Sequence, residues 1–177
     1  MGRINMLDLV KDVVVIGGGV IGTSIFYHLA KNGIDVVLLE RNTIASGTSG
    51  ACEGVIFLQT KKPGIHLQMA LKSADKFKTL SEELDFPIEY QNQGAMVVIP
   101  DDKQYKVMKQ FVQDQNKSGL QVELLNSSQT QERQPALSRA IAGSTYCTQD
   151  AQVNPILLAY GFAKAGERYK KAQILLH

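Results

Sequence analysis

Three glycines and one acid are the residues whose types and spacing point to chemistry in this chain. Gly17, Gly19 and Gly22 form a Gly-x-Gly-x-x-Gly turn, and Glu40 follows after the length of one helix and one strand. Glycines at these positions let the backbone turn tightly and come close to a phosphate group. A carboxylate at the position of Glu40 can accept hydrogen bonds from ribose hydroxyls. Together the four residues predict a site for the pyrophosphate and ribose of a dinucleotide.

Two buried strands are predicted around this turn. Val13–Ile16 is an apolar run of β-branched residues, typical of a strand that is buried on both faces of a sheet. Val36–Leu39 is a second apolar run, and Glu40 follows it directly. A strand, a glycine turn, a helix and a second strand form a β-α-β unit, so the fold class is predicted to be α/β with a Rossmann-like domain.

A helix is predicted between the two strands, beginning near Val20. Ile21, Ile25 and Leu29 recur at helical spacing and predict its apolar stripe. Gly33 then ends the helix, as glycine commonly does. Such a helix directs its unpaired N–H groups and the positive end of its dipole towards the pyrophosphate.

The residues after Glu40 favour FAD over the nicotinamide cofactors. The charge of Glu40 repels a 2′-phosphate, which disfavours NADP but does not separate FAD from NAD. Residues 41–55 are mostly small or hydroxyl-bearing. A loop of this kind lets the backbone lie along an extended cofactor, whereas a nicotinamide-dependent dehydrogenase usually turns quickly into its next helix.

At this point the chain resembles the D-amino-acid oxidase superfamily of FAD-dependent oxidoreductases, which includes glycine oxidase, sarcosine oxidases and bacterial amino-acid dehydrogenase subunits. The matching residues are Gly17–Gly22, Leu39–Arg41, Ala45–Ser49 and Gly54. The resemblance implies FAD as the cofactor.

The resemblance also implies which residues contact the cofactor. Glu40 and Arg41 are expected at the adenosine end, and Thr48 and Ser49 at the diphosphate. Glu53, Gly54 and Val55 are expected near the flavin ring. The predicted cofactor-binding residues are Gly17, Gly19, Val20, Ile21, Gly22, Glu40, Arg41, Thr48, Ser49, Glu53, Gly54 and Val55.

A second segment near the end of the chain supports the same family. Residues 150–155 resemble the family's Asp-x-x-Val-Asp/Asn-Pro segment. Asn154 can cap a helix and Pro155 suits its first turn. Ile174–Leu176 then predicts a short buried strand.

The family resemblance predicts three consecutive parts. Residues 1–85 are the first part of the FAD-binding domain, 86–149 the start of a β-rich substrate domain, and 150–177 an incomplete return to the FAD-binding domain. In the middle part, Phe86–Tyr90 and Ala95–Ile99 are predicted as two strands joined by a polar turn. Members of the family are considerably longer, so we expect an N-terminal fragment; the alternative is a naturally short protein.

The function that the resemblance implies is oxidation of an amine or amino acid, with hydride transfer to the flavin. Family members bind the substrate carboxylate through residues of their second half, so no catalytic residue is assigned and the chain alone is expected to be inactive. Partner subunits of a dehydrogenase complex are a further expectation. Two alternatives remain open: an NAD-dependent dehydrogenase, and a non-catalytic nucleotide-binding subunit of an electron-transfer complex.

Composition limits the remaining possibilities. Apolar residues make up 44% and charged residues 20% of the chain, as in an ordinary globular protein. A net charge of +2 gives no reason to expect nucleic-acid binding. No apolar run approaches the roughly twenty residues that cross a bilayer, and no metal-ligand spacing is present. Cys52 and Cys147 are too few for a disulfide framework, which predicts a reducing, cytoplasmic location. Cys52 is interpreted as a small buried residue, with a thiol near the flavin ring as the alternative.

Overall fold

The structure is a computed structural model that describes residues 10–177, which form two compact units. The first unit contains the described residues up to Gly54 together with residues 80–89 and 154–177. The second contains residues 55–79 and 90–153. The predicted boundaries after residues 85 and 149 each lie four residues from a boundary between units, whereas residues 55–79 belong to the second unit. The functional assignment of the two units stays a prediction.

Strands and helices alternate along most of the described chain. In chain order they are β1 (Val13–Ile16), α1 (Val20–Lys31), β2 (Val36–Glu40), β3 (Val55–Ile56), α2 (Ile65–Leu84), β4 (Ala95–Ile99), α3 (Asp102–Lys117), β5 (Val122–Asn126), α4 (Ser127–Arg133), β6 (Gly143–Cys147), β7 (Ala151–Gln152), α5 (Pro155–Glu167) and β8 (Ala172–Leu176). Helix α2 crosses from the second unit into the first after Thr79. None of the helices in residues 10–177 is both long and apolar enough to span a bilayer.

A parallel sheet of three strands forms the centre of the first unit, in the order β1-β2-β8. Helices α1 and α5 pack against each other, and their small and aromatic side chains meet the sheet. The predicted Asn154 cap and the proline at the start of α5 are both present. The buried core comprises Val15, Phe26, Ala30, Val36, Leu38, Ile44, Ala45, Ala159 and Ala163. The α/β class and the Rossmann-like, parallel arrangement are therefore confirmed.

Three predictions about burial in this unit were wrong. Strand β1 is present, but Val14 and Ile16 are exposed. Within residues 10–177 the core covers the face that carries Val15, and β1 is an edge strand. Helix α1 is also present, yet Ile21 and Ile25 are exposed. Its buried residues are instead Thr23, Phe26, Tyr27 and Ala30. The last strand, β8, is only half-buried, with Leu176 exposed.

The second unit is built on an antiparallel sheet of three strands in the order β4-β6-β5. Helix α3 is capped by Asp101, whose carboxylate accepts a hydrogen bond from the Gln104 amide at 2.8 Å. Helix α4 begins with a capping box between Asn126 and Gln129. These caps satisfy N–H groups that helix starts leave unpaired. The core includes Leu58, Leu67, Ala74, Val112, Leu120, Val122 and Cys147.

The segment before β4 differs from its prediction. Residues 86–90 form no strand, because Asp85 (φ 45°) and Glu89 (φ 54°) adopt left-handed conformations that a strand does not tolerate. Only Gln91 makes an isolated antiparallel bridge, to Gln152. The short strands β3 and β7, which pair with each other, were not predicted. Two-residue strands have no periodicity that a sequence pattern can reveal.

Asp150, the first residue of the second family-like segment, is fully buried in the second unit. Its carboxylate accepts hydrogen bonds from the backbone amides of Leu58 (2.7 Å) and Gln59 (3.3 Å) and from the Gln59 side chain (2.6 Å). Burial raises the pKa of Asp150, while these donors act in the opposite direction. The residue therefore anchors the chain that follows β3 to the chain that precedes β7.

Gly22→Ala tests the close packing of α1 on the first strand. Helix propensity alone would stabilise the protein by about 1 kcal/mol. However, a Cβ atom at Gly22 would lie 1.9 Å from the Gly17 carbonyl oxygen, which is backbone and cannot rotate away. We expect a net loss of at least about 2 kcal/mol in the free energy of unfolding in urea. In the control Gly47→Ala, the new Cβ meets no atom within 4 Å, so its change should stay within about 0.5 kcal/mol.

Candidate dinucleotide-binding site

The glycine turn joins β1 to α1 in the geometry that the site requires. Gly17 has a φ of 108°, which favours glycine, and its N–H donates to the Leu39 carbonyl oxygen at 2.8 Å. Gly19 is the N-terminal cap of α1, and no side chain of its own satisfies the first amides of the helix. The Val20 amide donates to the Ser49 hydroxyl oxygen, and the amides that follow it in α1 are available to an external acceptor of hydrogen bonds.

Glu40 is held by the backbone on both oxygens of its carboxylate. The Gly18 amide donates to Oε2 and the Asn42 amide donates to Oε1, each at 2.7 Å. These two bonds hold the pKa of Glu40 below its usual value, with a smaller contribution from Arg41. The carboxylate is therefore ionised and oriented, and each oxygen retains a lone pair for a ribose hydroxyl.

The loop after Glu40 is folded back against the glycine turn. Ala45 adopts a left-handed conformation (φ 62°), and its amide donates to the Gly18 carbonyl oxygen at 2.9 Å. This bend brings the Ser49 hydroxyl to the start of α1, where Oγ accepts a hydrogen bond from the Val20 amide at 2.9 Å. The Ser49 hydroxyl can still donate its own hydrogen to a phosphate oxygen. Cys52 is exposed, so its interpretation as a buried residue was wrong.

Two cavities of the first unit share Glu40 and Arg41. A cavity of about 510 Å³ lies at the carboxyl ends of the parallel strands, where α/β sheets bind their ligands. It is lined by Ile16, Gly17, Leu39, Glu40, Arg41, Leu175, Leu176 and His177. A cavity of about 370 Å³ is lined by Gly19, Glu40, Arg41, Asn42, Ser46, Gly47, Thr48 and Ser49. The first offers apolar walls that suit a nucleobase, and the second offers hydroxyl and amide groups that suit phosphates.

Half of the twelve predicted site residues line these cavities: Gly17, Gly19, Glu40, Arg41, Thr48 and Ser49. Gly22 lies beneath the turn, and the Ile21 side chain is exposed. Glu53 and Gly54 end the first segment of the first unit, and Val55 begins the second unit. Their contacts with a cofactor stay predictions.

Sequence reasoning missed four residues that orient Glu40 or line the smaller cavity. Gly18 and Asn42 orient Glu40 through their amides. Ser46 and Gly47 line the smaller of the two cavities, whose hydroxyl and amide groups suit phosphates. The hydroxyl-rich composition of residues 41–55 was the available signal for Ser46 and Gly47. Backbone amides carry no signal of residue type, so the partners of Glu40 could not be found from the sequence.

The fold and these contacts define a dinucleotide-binding domain of the α/β class. The residues present fit the adenosine diphosphate part of FAD: no capping side chain at Gly19 takes the amides of α1 that follow Val20, the Glu40 carboxylate is oriented for a ribose, and a side chain at Gly19 would reach the Ser49 hydroxyl, with Cβ 3.0 Å from Oγ. The model of the FAD dependent oxidoreductase family (DAO) matches residues 12–177. The chain belongs to this family, and its cofactor is accordingly FAD rather than NAD.

Individual relatives agree with this assignment. The crystal structure of glycine oxidase from Geobacillus kaustophilus matches with a TM-score of 0.87 and 28% identity, over 94% of this chain and 46% of that one. An opine oxidase subunit from Rhizobium meliloti is 25% identical over 89% of this chain and 45% of its own length. The mitochondrial pyruvate dehydrogenase phosphatase regulatory subunit of Mus musculus is 28% identical over 89% of this chain and 18% of its own length. The chain thus spans less than half the length of each relative.

Glu40→Ala is expected to weaken FAD binding while the protein still folds. The substitution removes a charged acceptor, and hydrogen bonds to charged groups contribute about 1.5–3 kcal/mol, which corresponds to a loss of roughly one to two decades in affinity. Quenching of flavin fluorescence during titration of the complete gene product measures this loss. Glu132→Ala, which removes an exposed acid of α4, is the control. An unchanged affinity of the Glu40 variant would remove this residue from the site.

Gly19→Val is expected to abolish FAD incorporation without unfolding the protein. The backbone of Gly19 (φ −75°, ψ 176°) is one that valine adopts readily, so the fold tolerates the change. The branched side chain would nevertheless fill the space between the start of α1 and Ser49. Gly19→Ala adds a single carbon and should retain part of the affinity. Bound flavin, measured from visible absorption per protein, gives the answer; a fully loaded Gly19→Val protein would contradict this role.

Proposed function

We propose that this chain is the FAD-binding portion of a flavoenzyme that oxidises a C–N bond of an amine or amino acid. The observation that carries the proposal is the family match over residues 12–177, combined with the glycine turn and the oriented carboxylate of Glu40. FAD, when bound, would supply the hydride-accepting chemistry for oxidation of the substrate carbon next to nitrogen, and water would hydrolyse the resulting imine. Similarity to a glycine oxidase supports the amine or amino-acid class of substrate.

In this proposal the protein holds the cofactor from its adenosine end towards its ring. Glu40 and Arg41 bind the adenosine, because they line both cavities. Thr48 and Ser49 bind the diphosphate. The remaining contacts, which rest on family resemblance, are made near the flavin ring by Glu53, Gly54 and Val55.

We also propose that the residues binding the substrate lie in polypeptide outside residues 1–177, so that this chain alone has no turnover. The support is the coverage of the relatives: 46% of the glycine oxidase chain is matched. Substrate and partner assignments therefore concern the whole protein.

Free thiols at Cys52 and Cys147 support a reducing, cytoplasmic location.

A second candidate function is a non-catalytic subunit that keeps the FAD-binding fold. The similarity to a pyruvate dehydrogenase phosphatase regulatory subunit favours it, because that relative is named for regulation rather than oxidation. The similarity to one subunit of an opine oxidase supports association with other subunits in either case.

One experiment on the complete gene product separates these functions. The purified protein is expected to be yellow, with the visible absorption of bound FAD, and anaerobic addition of amino acids and secondary amines should bleach it with at least one compound. Recovery of colour with oxygen or only with an electron-accepting dye then distinguishes an oxidase from a dehydrogenase. A yellow protein that no amine bleaches would favour the non-catalytic subunit, and a colourless protein that does not take up FAD would refute both candidates.

A further inference from the structure

A network of buried hydrogen bonds surrounds Asp150 in the second unit. The Gln59 side chain donates to the Asp150 carboxyl group at 2.6 Å and to the Ala95 carbonyl oxygen of β4 at 2.9 Å. The same side chain accepts a hydrogen bond from the Thr145 hydroxyl of β6. The Gln59 carbonyl oxygen accepts another from the Gln115 side chain of α3 at 3.2 Å. The chain that follows β3 is thus joined to two strands and one helix by side chains that are almost completely buried.

Hydrogen bonds, more than apolar packing, set the position of β3. The strand has two residues, of which Val55 is 41% exposed and Ile56 is only partly buried. Leu58 is buried, but burial of an apolar side chain is non-directional and does not fix the register of a strand. Asp150 directly precedes β7, the partner of β3, and binds the amides of Leu58 and Gln59. These bonds fix one end of the β3–β7 pair.

The Asp150 network is better suited to positioning than to stability. An apolar cluster of similar volume can be as stable as a buried polar network, whereas fully bonded polar groups specify one arrangement of the chain. The two backbone amides that reach the Asp150 carboxyl group come from consecutive residues, and the third donor is the Gln59 side chain. Their directions are therefore matched to a single path of the chain after β3.

We propose that Asp150 is a positioning residue for the flavin end of the site: together with Gln59 it fixes β3, and through β3 the place of Val55 beside the flavin ring. The inference rests on the proposed function, because Val55 is assigned to the ring by family resemblance. Leu58 follows Val55 by only three residues, so release of its amide would let Val55 move. Protein groups near a cofactor tune its electronic properties. Asp150 acts through β3, and no contact with FAD or substrate is assigned to it.

Asp150→Asn in the complete gene product tests the proposal. The substitution keeps the shape of the side chain but replaces one accepting oxygen with an NH₂ donor, which then faces groups that also donate. Amide hydrogen exchange of residues 55–60 should accelerate at least about tenfold. The visible circular dichroism of bound FAD should change by at least about a third, because it reports the groups around the ring. The affinity for FAD should stay within about threefold, since Glu40 and the glycine turn belong to the first unit.

Gln59→Met is a second test variant, and Thr130→Val is the matched control. Gln59→Met keeps the length of the side chain but removes the donor to Asp150, so it should change the flavin dichroism even where Asp150→Asn does not fold. Thr130 is fully buried in the same unit, and its hydroxyl bonds Ser144 at 2.9 Å and the Asn126 carbonyl oxygen at 2.8 Å. Its loss should lower the melting temperature and leave both the dichroism and the exchange of residues 55–60 unchanged.

The outcomes separate positioning from stability. Unchanged dichroism in the folded, FAD-bound test variants would overturn the proposal, even with faster exchange at residues 55–60. An equal change in Thr130→Val would also overturn it, because a loss of stability would then explain the effect. Neither measurement needs a substrate. A parent protein that takes up no FAD contradicts the proposed function, whereas a yellow parent whose spectrum the test variants leave unchanged contradicts this inference alone.

Discussion

The close approach of α1 to the turn after β1 is the constraint on which the candidate site depends. The Gly17 carbonyl oxygen lies where a side chain at Gly22 would start, so any other residue at that position would push the helix away from the turn. This contact sets the direction of α1, and with it the direction of the first amides of the helix. The same helix packs on α5, which couples the phosphate end of the site to a segment far along the chain.

Glu40 and the following loop complete the site through backbone contacts rather than through pairs of side chains. The Glu40 carboxylate accepts hydrogen bonds from two backbone amides, that of Gly18 in the glycine turn and that of Asn42 in the loop. The same loop is hydrogen-bonded to the glycine turn through the Ala45 amide and to the first residue of α1 through the Ser49 hydroxyl. Because each contact orients a group before any ligand arrives, less conformational entropy is lost on binding.

The two units show different ways of satisfying their polar and apolar groups. The second unit buries the carboxyl group of Asp150 and supplies it with three donors from Leu58 and Gln59, as a buried polar group requires. The first unit leaves apolar side chains of β1 and α1 in contact with solvent. A complete β-α-β motif is therefore compatible with a sheet that is open at one edge.

The sequence alone determined the fold class, the cofactor class and the starts of α1 and α5, because these depend on local patterns: the glycine spacing, the apolar runs and the Asn154 cap. It also placed Glu40 at the end of the second strand, because that position is a matter of chain order. Only the tertiary structure decided which side chains are buried, since Val14 and Ile21 have ideal local patterns but lack a covering element in the described residues. It likewise decided what holds Glu40 in place, because the partners are backbone amides brought near by folding, and every residue except proline has one.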